Sequence, residues 1–225
     1  MGKNDNGNNG RTELVFVVDR SGSMGGLESD TIGGFNSMLS KQRTIAGECR
    51  VTTLLFDHRI ETLHNHLDIR EVNDLTSRDY WVRGSTALLD AIGLAIDRMI
   101  VTQRHTAAAY RAQHVLFVII TDGYENASRR YSLHQIKQMI TYERERYHWE
   151  FVFLGANIDA EQTAGDFGIS PRCATDFHAD GQGIKASFEA VACAATAVRG
   201  GADLDDLSAP DFLGGVRDDH RSRRR

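Results

Sequence analysis

The chain has 225 residues, 41% of them hydrophobic and 25% charged, with ten Phe and two Trp; that suffices for one sizeable α/β domain but not for two. A formal charge of −5 excludes a general nucleic-acid binder, whose folded surface is basic. Three cysteines, Cys49, Cys173 and Cys193, without C-x-x-C spacing, exclude a disulfide framework and a cysteine zinc site, and predict reduced, buried thiols.

Residues 1–11 are polar, rich in Asn and Gly, and contain no apolar core of a signal peptide, so a flexible leader and a cytoplasmic protein are expected. Gly2 lacks the Ser or Thr at position 6 that myristoylation wants; Asn6 stands there. No apolar run approaches the ~20 residues that span a bilayer, and no membrane partner is expected. The run Leu14 to Val18 is continuously apolar and β-branched, as in a strand buried on both faces, and it stops at Asp19 before a Gly/Ser-rich loop. Ile32, Phe35, Met38 and Leu39 then recur at helical spacing, up to about Gly47. Val51 to Phe56 reads as a strand, Asp57-His58 as a tight turn, and Arg59 to Leu67 as an edge strand returning antiparallel. His64 and His66 fall on one side of that strand, a possible adventitious metal pair that exposed edge histidines explain better. Asp68 to Arg83 is polar connecting structure.

After Gly84-Ser85-Thr86, the residues Leu88, Ala91, Ile92, Ala95, Ile96 and Met99 form one apolar stripe, which predicts a helix lying on a sheet. Val115 to Ile120 is a second fully apolar strand, closed by Thr121-Asp122-Gly123. Leu133, Ile136, Met139 and Ile140 mark a helix with Ser132 as its N-cap. Phe151 to Leu154 is a third buried strand, ending at Gly155-Ala156-Asn157, and a short helix runs from Asp159 to Phe167. Cys173 to Phe177 suits a last strand, and Ile184, Phe188, Val191, Ala195 and Val198 a closing helix. The domain therefore spans 12–202, and 203–225 reads as a polar, disordered tail whose Arg221 to Arg225 run is solvated.

Alternating helices and continuously apolar strands predict an α/β domain with a mostly parallel central sheet, one antiparallel edge strand and helices on both faces. Ligands of such sheets gather beyond the carboxyl ends of the strands, at a topological switch point. There the sequence puts Asp19-x-Ser21-x-Ser23, Thr86 and Asp122. These are hard oxygen donors on short side chains, suited to Mg²⁺; zinc would favour His or Cys. Alternation along an extended loop would aim residues 19, 21 and 23 at one ion. Two carboxylates against a doubly charged ion, the other donors being neutral, leave it an affinity for a further anionic oxygen.

The D-x-S-x-S loop, the Thr86 segment and Thr121-Asp122-Gly123, in this order and context, resemble the metal-ion-dependent adhesion site (MIDAS) of von Willebrand factor type A (VWA) domains, over about Leu14 to Val198. The phrase Phe153-Leu154-Gly155-Ala156-Asn157 is similar to that of intracellular bacterial members. The resemblance implies a three-layer, Rossmann-like fold. It also implies metal ligands Asp19, Ser21, Ser23, Thr86 and Asp122, and Mg²⁺, or Mn²⁺ or Ca²⁺, bridging to an Asp or Glu of a protein partner. An AAA+ ATPase or an assembly partner is what likeness suggests for that role. Arg20, Met24, Tyr124, Asn126, Asn157 and Asp159 are candidate rim residues. Asn126 and Asn157 serve equally as turn formers, and Asp159 as a helix cap.

Catalysis is the competing reading. A Mg²⁺-dependent phosphatase would use Asp19 as an attacking carboxylate, but Ser21 stands where its partner acid belongs. A serine hydrolase would use Ser23, but Ser21 replaces the first glycine of the G-x-S-x-G elbow. No G-x-x-x-x-G-K-[ST] phosphate loop occurs. A binding module, not an enzyme, is expected.

Overall fold

The computed structural model describes residues 10–223. Residues 1–9 of the expected leader, and Arg224 and Arg225 of the basic run, lie outside the described residues. Six strands form one sheet: β1 (Thr12–Asp19), β2 (Cys49–Phe56), β3 (Ile60–Asp68), β4 (His114–Asp122), β5 (Glu150–Ala156) and β6 (Ala174–Asp176). Their order is β3-β2-β1-β4-β5-β6. Only the β2–β3 pair is antiparallel; all the others run parallel. The helices are α1 (Glu28–Arg43), α2 (Leu88–His105), α3 (Leu133–Tyr147), α4 (Ala160–Phe167), α5 (Gly181–Arg199) and α6 (Gly214–Ser222).

The continuously apolar strands lie between two helical layers, which is why they show no polar alternation. Every residue of β1 is buried. On one face Phe16 meets Phe35 of α1 edge-on at 5.2 Å, and Phe35 meets Phe188 of α5 at 6.3 Å. Phe16 pairs with Val118, so Phe117 projects from the opposite face, where it stacks on Phe151 at 4.8 Å. On that face too, Phe153 meets Phe167 of α4. Ser132 caps α3 as predicted, in a reciprocal capping box with Gln135. The chain leaves β1 toward β2 on one side and enters β4 from β3 on the other. The order therefore reverses between β1 and β4, and the crevice beyond their carboxyl ends is the switch point.

Three expectations need correction. The stretch after Ala202 is ordered through the described residues: Leu204, Leu213 and Val216 are buried, and α6 packs on α5 and β6. Its apolar residues are too sparse to show a period, and arginines do much of the docking. Arg217 donates to the carbonyls of Pro171, Arg172 and Ala174, and Arg223 pairs with Asp180 and Asp219. The histidines of β3 do not share a side. A register shift between Val51 and Thr53, with His66 at φ 56°, turns them to opposite faces. His64 is buried against Thr53 and Phe35, while His66 reaches Glu13 at 2.6 Å. Among the cysteines, Cys49 and Cys173 are buried and free, but Cys193 is exposed.

Glu150, at the start of β5, carries a testable consequence of this C-terminal packing. Burial first, then the neighbouring carboxylates of Asp203 and Asp205, push its carboxyl up to about 7. A carboxyl raised on folding stabilises the fold while protonated. That contribution is complete below its ordinary value of 4.5 and is lost as pH rises through about 7. Glu150→Gln is expected to flatten this loss, worth roughly 2 kcal/mol after allowance for partial exposure, in urea midpoints compared between about pH 5 and pH 8.

Candidate functional site

Three loops close over the switch point. The first leaves β1 at Asp19, whose side chain is fully buried. Its Oδ1 accepts from the Ser21 N–H at 2.6 Å; its Oδ2 accepts from the Thr121 hydroxyl at 2.7 Å and the Asp122 N–H at 3.4 Å. The carboxylate thus ties the ends of β1 and β4 together. A 3-10 turn, Gly22–Met24, begins at once, so Ser21 and Ser23 meet by turning and not by extended alternation. Their Oγ atoms lie 3.0 Å apart.

The second loop brings Thr86, whose hydroxyl donates to Ser21 Oγ at 3.0 Å. Gly84 supports this approach: it accepts from the Gly22 N–H, and at φ 68° a Cβ there would stand 2.2 Å from His58 Nδ1. The third loop follows Asp122 and reaches back to Thr86. Asn126 Oδ1 accepts from the Thr86 N–H, and the Thr86 carbonyl accepts from the N–H groups of Asn126 and Ala127. Helix α2 starts here without a cap of its own. Glu125 instead accepts from the Leu89 N–H and Ser128 Oγ from the Asp90 N–H, satisfying donors that a helix N-terminus leaves open. Gly123 lies against Ser23, 3.4 Å from Cβ position to Oγ.

The side chains of Asp19, Ser21, Ser23 and Thr86 therefore meet, and Asp122 joins them through its N–H to Asp19. Asp19, Ser21, Thr86 and Asp122 are buried, whereas Ser23 is exposed and marks the open side. Burial raises the Asp19 carboxyl above its ordinary value despite hydrogen bonds from Ser21, Thr121 and Asp122. Burial likewise raises Asp122 against a hydrogen bond from Asn157. Two carboxylates resist charging at a place where a cation would relieve them. No three His, Cys, Asp or Glu side chains gather as a metal cluster among the described residues; a cation here would draw on hydroxyls. Two carboxylates and three hydroxyls fit a hard divalent ion.

Solved structures share this architecture. A von Willebrand factor type A protein from Catenulispora acidiphila aligns with a TM-score of 0.54 at 10% identity, over 81% of this chain and 42% of its own. The vWF domain of the type V pili tip protein Mfa5 from Porphyromonas gingivalis gives 0.56 at 12% identity, over 83% of this chain and 95% of that one. Proximal thread matrix protein 1 from the mussel byssus, with a zinc-occupied MIDAS motif, gives 0.56 at 13% identity, over 83% and 46%. The fold is that of a VWA domain. No family model and no curated protein matches the sequence. The likeness at these identities is one of fold, and the chain spans less than half the length of the mussel and Catenulispora proteins.

The rim of this domain differs in part from expectation. Arg20 and Met24 are fully buried and cannot contact a partner. Met24 packs into the core. Arg20 lies between Asp57, at 3.2 Å, and Glu61, at 2.8 Å, and stacks over Trp81. Tyr124, Asn126, Asn157 and Asp159 are exposed. Asn157, in the left-handed region at φ 55°, donates to Asp122 Oδ1, and Asp159 caps α4 through the Gln162 N–H; both act as positioning groups.

Sequence reasoning missed Tyr80, whose hydroxyl donates to the Asp19 carbonyl at 2.6 Å, and half-exposed Trp81, over which Arg83 lies at 4.2 Å. It also read Asp57 as a mere turn residue. Asp57 accepts from Arg20, Arg83 and the Arg59 N–H, and its carbonyl accepts from the Ala87 N–H beside Thr86. The overlooked signal was that the apolar end of β2, like those of β1 and β4, gives way to an Asp, here Asp57 just past Phe56.

Proposed function

We propose that this domain is a divalent-cation-dependent protein-binding module, acting as an adaptor or scaffold. One observation carries the reading: three loops distant in sequence bring the side chains of Asp19, Ser21, Ser23 and Thr86 and the backbone of Asp122 together, with Ser23 open to solvent. These five residues would hold the ion, and Mg²⁺ fits the donor set best, with Mn²⁺ and Ca²⁺ as alternatives. Such an ion would supply a positive centre for a carboxylate oxygen of a partner's Asp or Glu. Thr121 and Asn157 hold the two carboxylates in place, and Asn126 holds Thr86. Exposed Trp81 and Tyr124 frame the surface a partner would meet.

Binding is favoured over catalysis by the state of the two candidate nucleophiles. Asp19 is fully buried and braced by the Ser21 N–H and the Thr121 hydroxyl, a position suited to holding a small ion and not to in-line attack on a phosphate. Ser23 Oγ is paired with Ser21 Oγ, and no imidazole bonds to it among the described residues, where a nucleophile needs a base. The VWA-fold neighbours are consistent with recognition: one is a pilus tip protein and another carries a metal-occupied MIDAS motif. A reducing compartment such as the cytoplasm suits the free thiols of Cys49 and Cys173.

The test is capture of partners from the native cell on immobilised protein. Proteins retained in Mg²⁺ should be released by EDTA and recaptured when Mg²⁺ or Mn²⁺ is restored. Capture indifferent to chelator would remove the ion from the interface.

A further inference from the structure

Beside the ion site lies a groove of about 420 Å³ between the start of α2, the loop after β4 and helix α4. Gly123 and Tyr124, which directly follow the candidate ligand Asp122, form its near wall, so the groove is continuous with that site. Its floor is apolar and buried: Leu88, Ile158 and Phe167. Its walls carry two large apolar side chains left in solvent, Tyr124 at 61% and Leu133 at 43% exposure. Exposed apolar surface around a preformed concavity is the usual mark of a recognition site.

The charges around it have one sign. Glu125, Asp159 and Asp166 line the groove, and no Lys, Arg or His does so. Glu125 and Asp159 are held by N–H groups of their own loops. Asp166 is exposed, and its carboxylate makes no hydrogen bond or ion pair among the described residues. An apolar slot with an acidic edge selects an apolar side chain followed by a cation.

We propose that the groove reads the residues next to the ion-binding carboxylate. The partner segment then carries an Asp or Glu, a large aliphatic or aromatic side chain on one side of it, and a Lys or Arg beyond. This deepens the proposed function and rests on it for the carboxylate; the apolar and basic positions rest on the groove. The ion supplies attraction common to any acidic peptide, and the groove supplies the choice among them.

Fluorescein-labelled peptides containing Asp, Leu and Lys in both orders, with glycine spacers of varied length, would be titrated by fluorescence polarisation in Mg²⁺ and in EDTA. The best acid–Leu–Lys peptide should bind about tenfold more tightly than its Leu→Ser and Lys→Glu counterparts, as burial of one aliphatic side chain allows. In the variant Leu133→Ser/Asp166→Lys, whose substituted positions are both exposed, that preference should vanish, while Mg²⁺-dependent binding of the acidic peptide persists. Circular dichroism would confirm that the variant folds. Mg²⁺-dependent binding that ignores the Leu and Lys positions overturns the groove and leaves the ion reading intact. Preference for Leu and Lys that survives EDTA supports the groove and overturns the ion. Binding that responds to neither overturns both.

Discussion

Asp19→Ala is expected to reduce Mg²⁺ and Mn²⁺ affinity by more than about 100-fold in calorimetry, since loss of a group that only supports a metal ligand already costs 10–100-fold. Two effects would combine. The site loses one of its two carboxylates, and with it half the negative charge that faces the ion. The Ser21 N–H and the Thr121 hydroxyl also lose their shared acceptor, so the Ser21 and Asp122 loops are no longer tied through one side chain. Unpartnered buried donors cost about 1–3 kcal/mol of stability, offset in part because burial already penalises the Asp19 charge. The protein should stay folded. Asp19→Asn separates the contributions: it keeps one acceptor for the loops and removes the charge, so stability should fall less than in Asp19→Ala while affinity still falls. Asp122→Ala should lower affinity similarly. Unchanged metal affinity in both alanine variants would sink the assignment.

Asp57→Ala should give the largest loss of stability, about 3–5 kcal/mol in urea unfolding, the cost of leaving a buried charge without its partner. Arg20 is fully buried, and Asp57 neutralises it at 3.2 Å while also holding Arg83 at 2.7 Å. Glu61, the other partner of Arg20, is exposed and compensates poorly. The damage would spread to function, because the Thr86 loop is pinned to this network: Arg83 N–H donates to the Arg20 carbonyl, and Ala87 N–H to that of Asp57. Burial opposes ionisation of Asp57, but hydrogen bonds from Arg83 and the Arg59 N–H, with the charges of Arg83 and Arg20, outweigh it and hold the carboxyl below its ordinary 3.8. A lowered carboxyl stabilises the fold above its unfolded value and stops doing so as pH falls through its folded one. Asp57→Asn should therefore shed part of the acid sensitivity below about pH 4. A variant as stable as wild type would show that Glu61 and water suffice for Arg20.

Much of this molecule was readable in advance where the signal is local and repeated. The middles of β1, β4 and β5 are continuous apolar runs because both faces are covered, and each main helix has an apolar stripe. The antiparallel edge strand showed itself by weak alternation. Asp19 and Asp122 were legible for a related reason: they sit where apolar strands stop, and a carboxylate ending a buried run stands out. Arg20 was misread because a charged residue beside a polar loop is ordinarily solvated. Nothing local says that Asp57, nearly forty residues on, lies against it. His66 was misread because a bulge adds one residue to one strand only, which reverses every later side chain. The last helix was missed because Leu204, Leu213 and Val216 form no period; carbonyls accepting from Arg172 and Arg217 hold that segment down.

By itself, the sequence determined the sheet's composition, the order of the helices and the chemistry offered at the strand ends, since hydrophobic period and residue type are properties of short segments. Only the tertiary structure decided which strand ends meet. The reversal of order between β1 and β4, the chain of bonds running from Asp19 through Ser21 and Thr86 to Asn126, and the acidic groove behind Tyr124 all depend on residues far apart in the chain. Their distances follow from packing, which no short segment encodes.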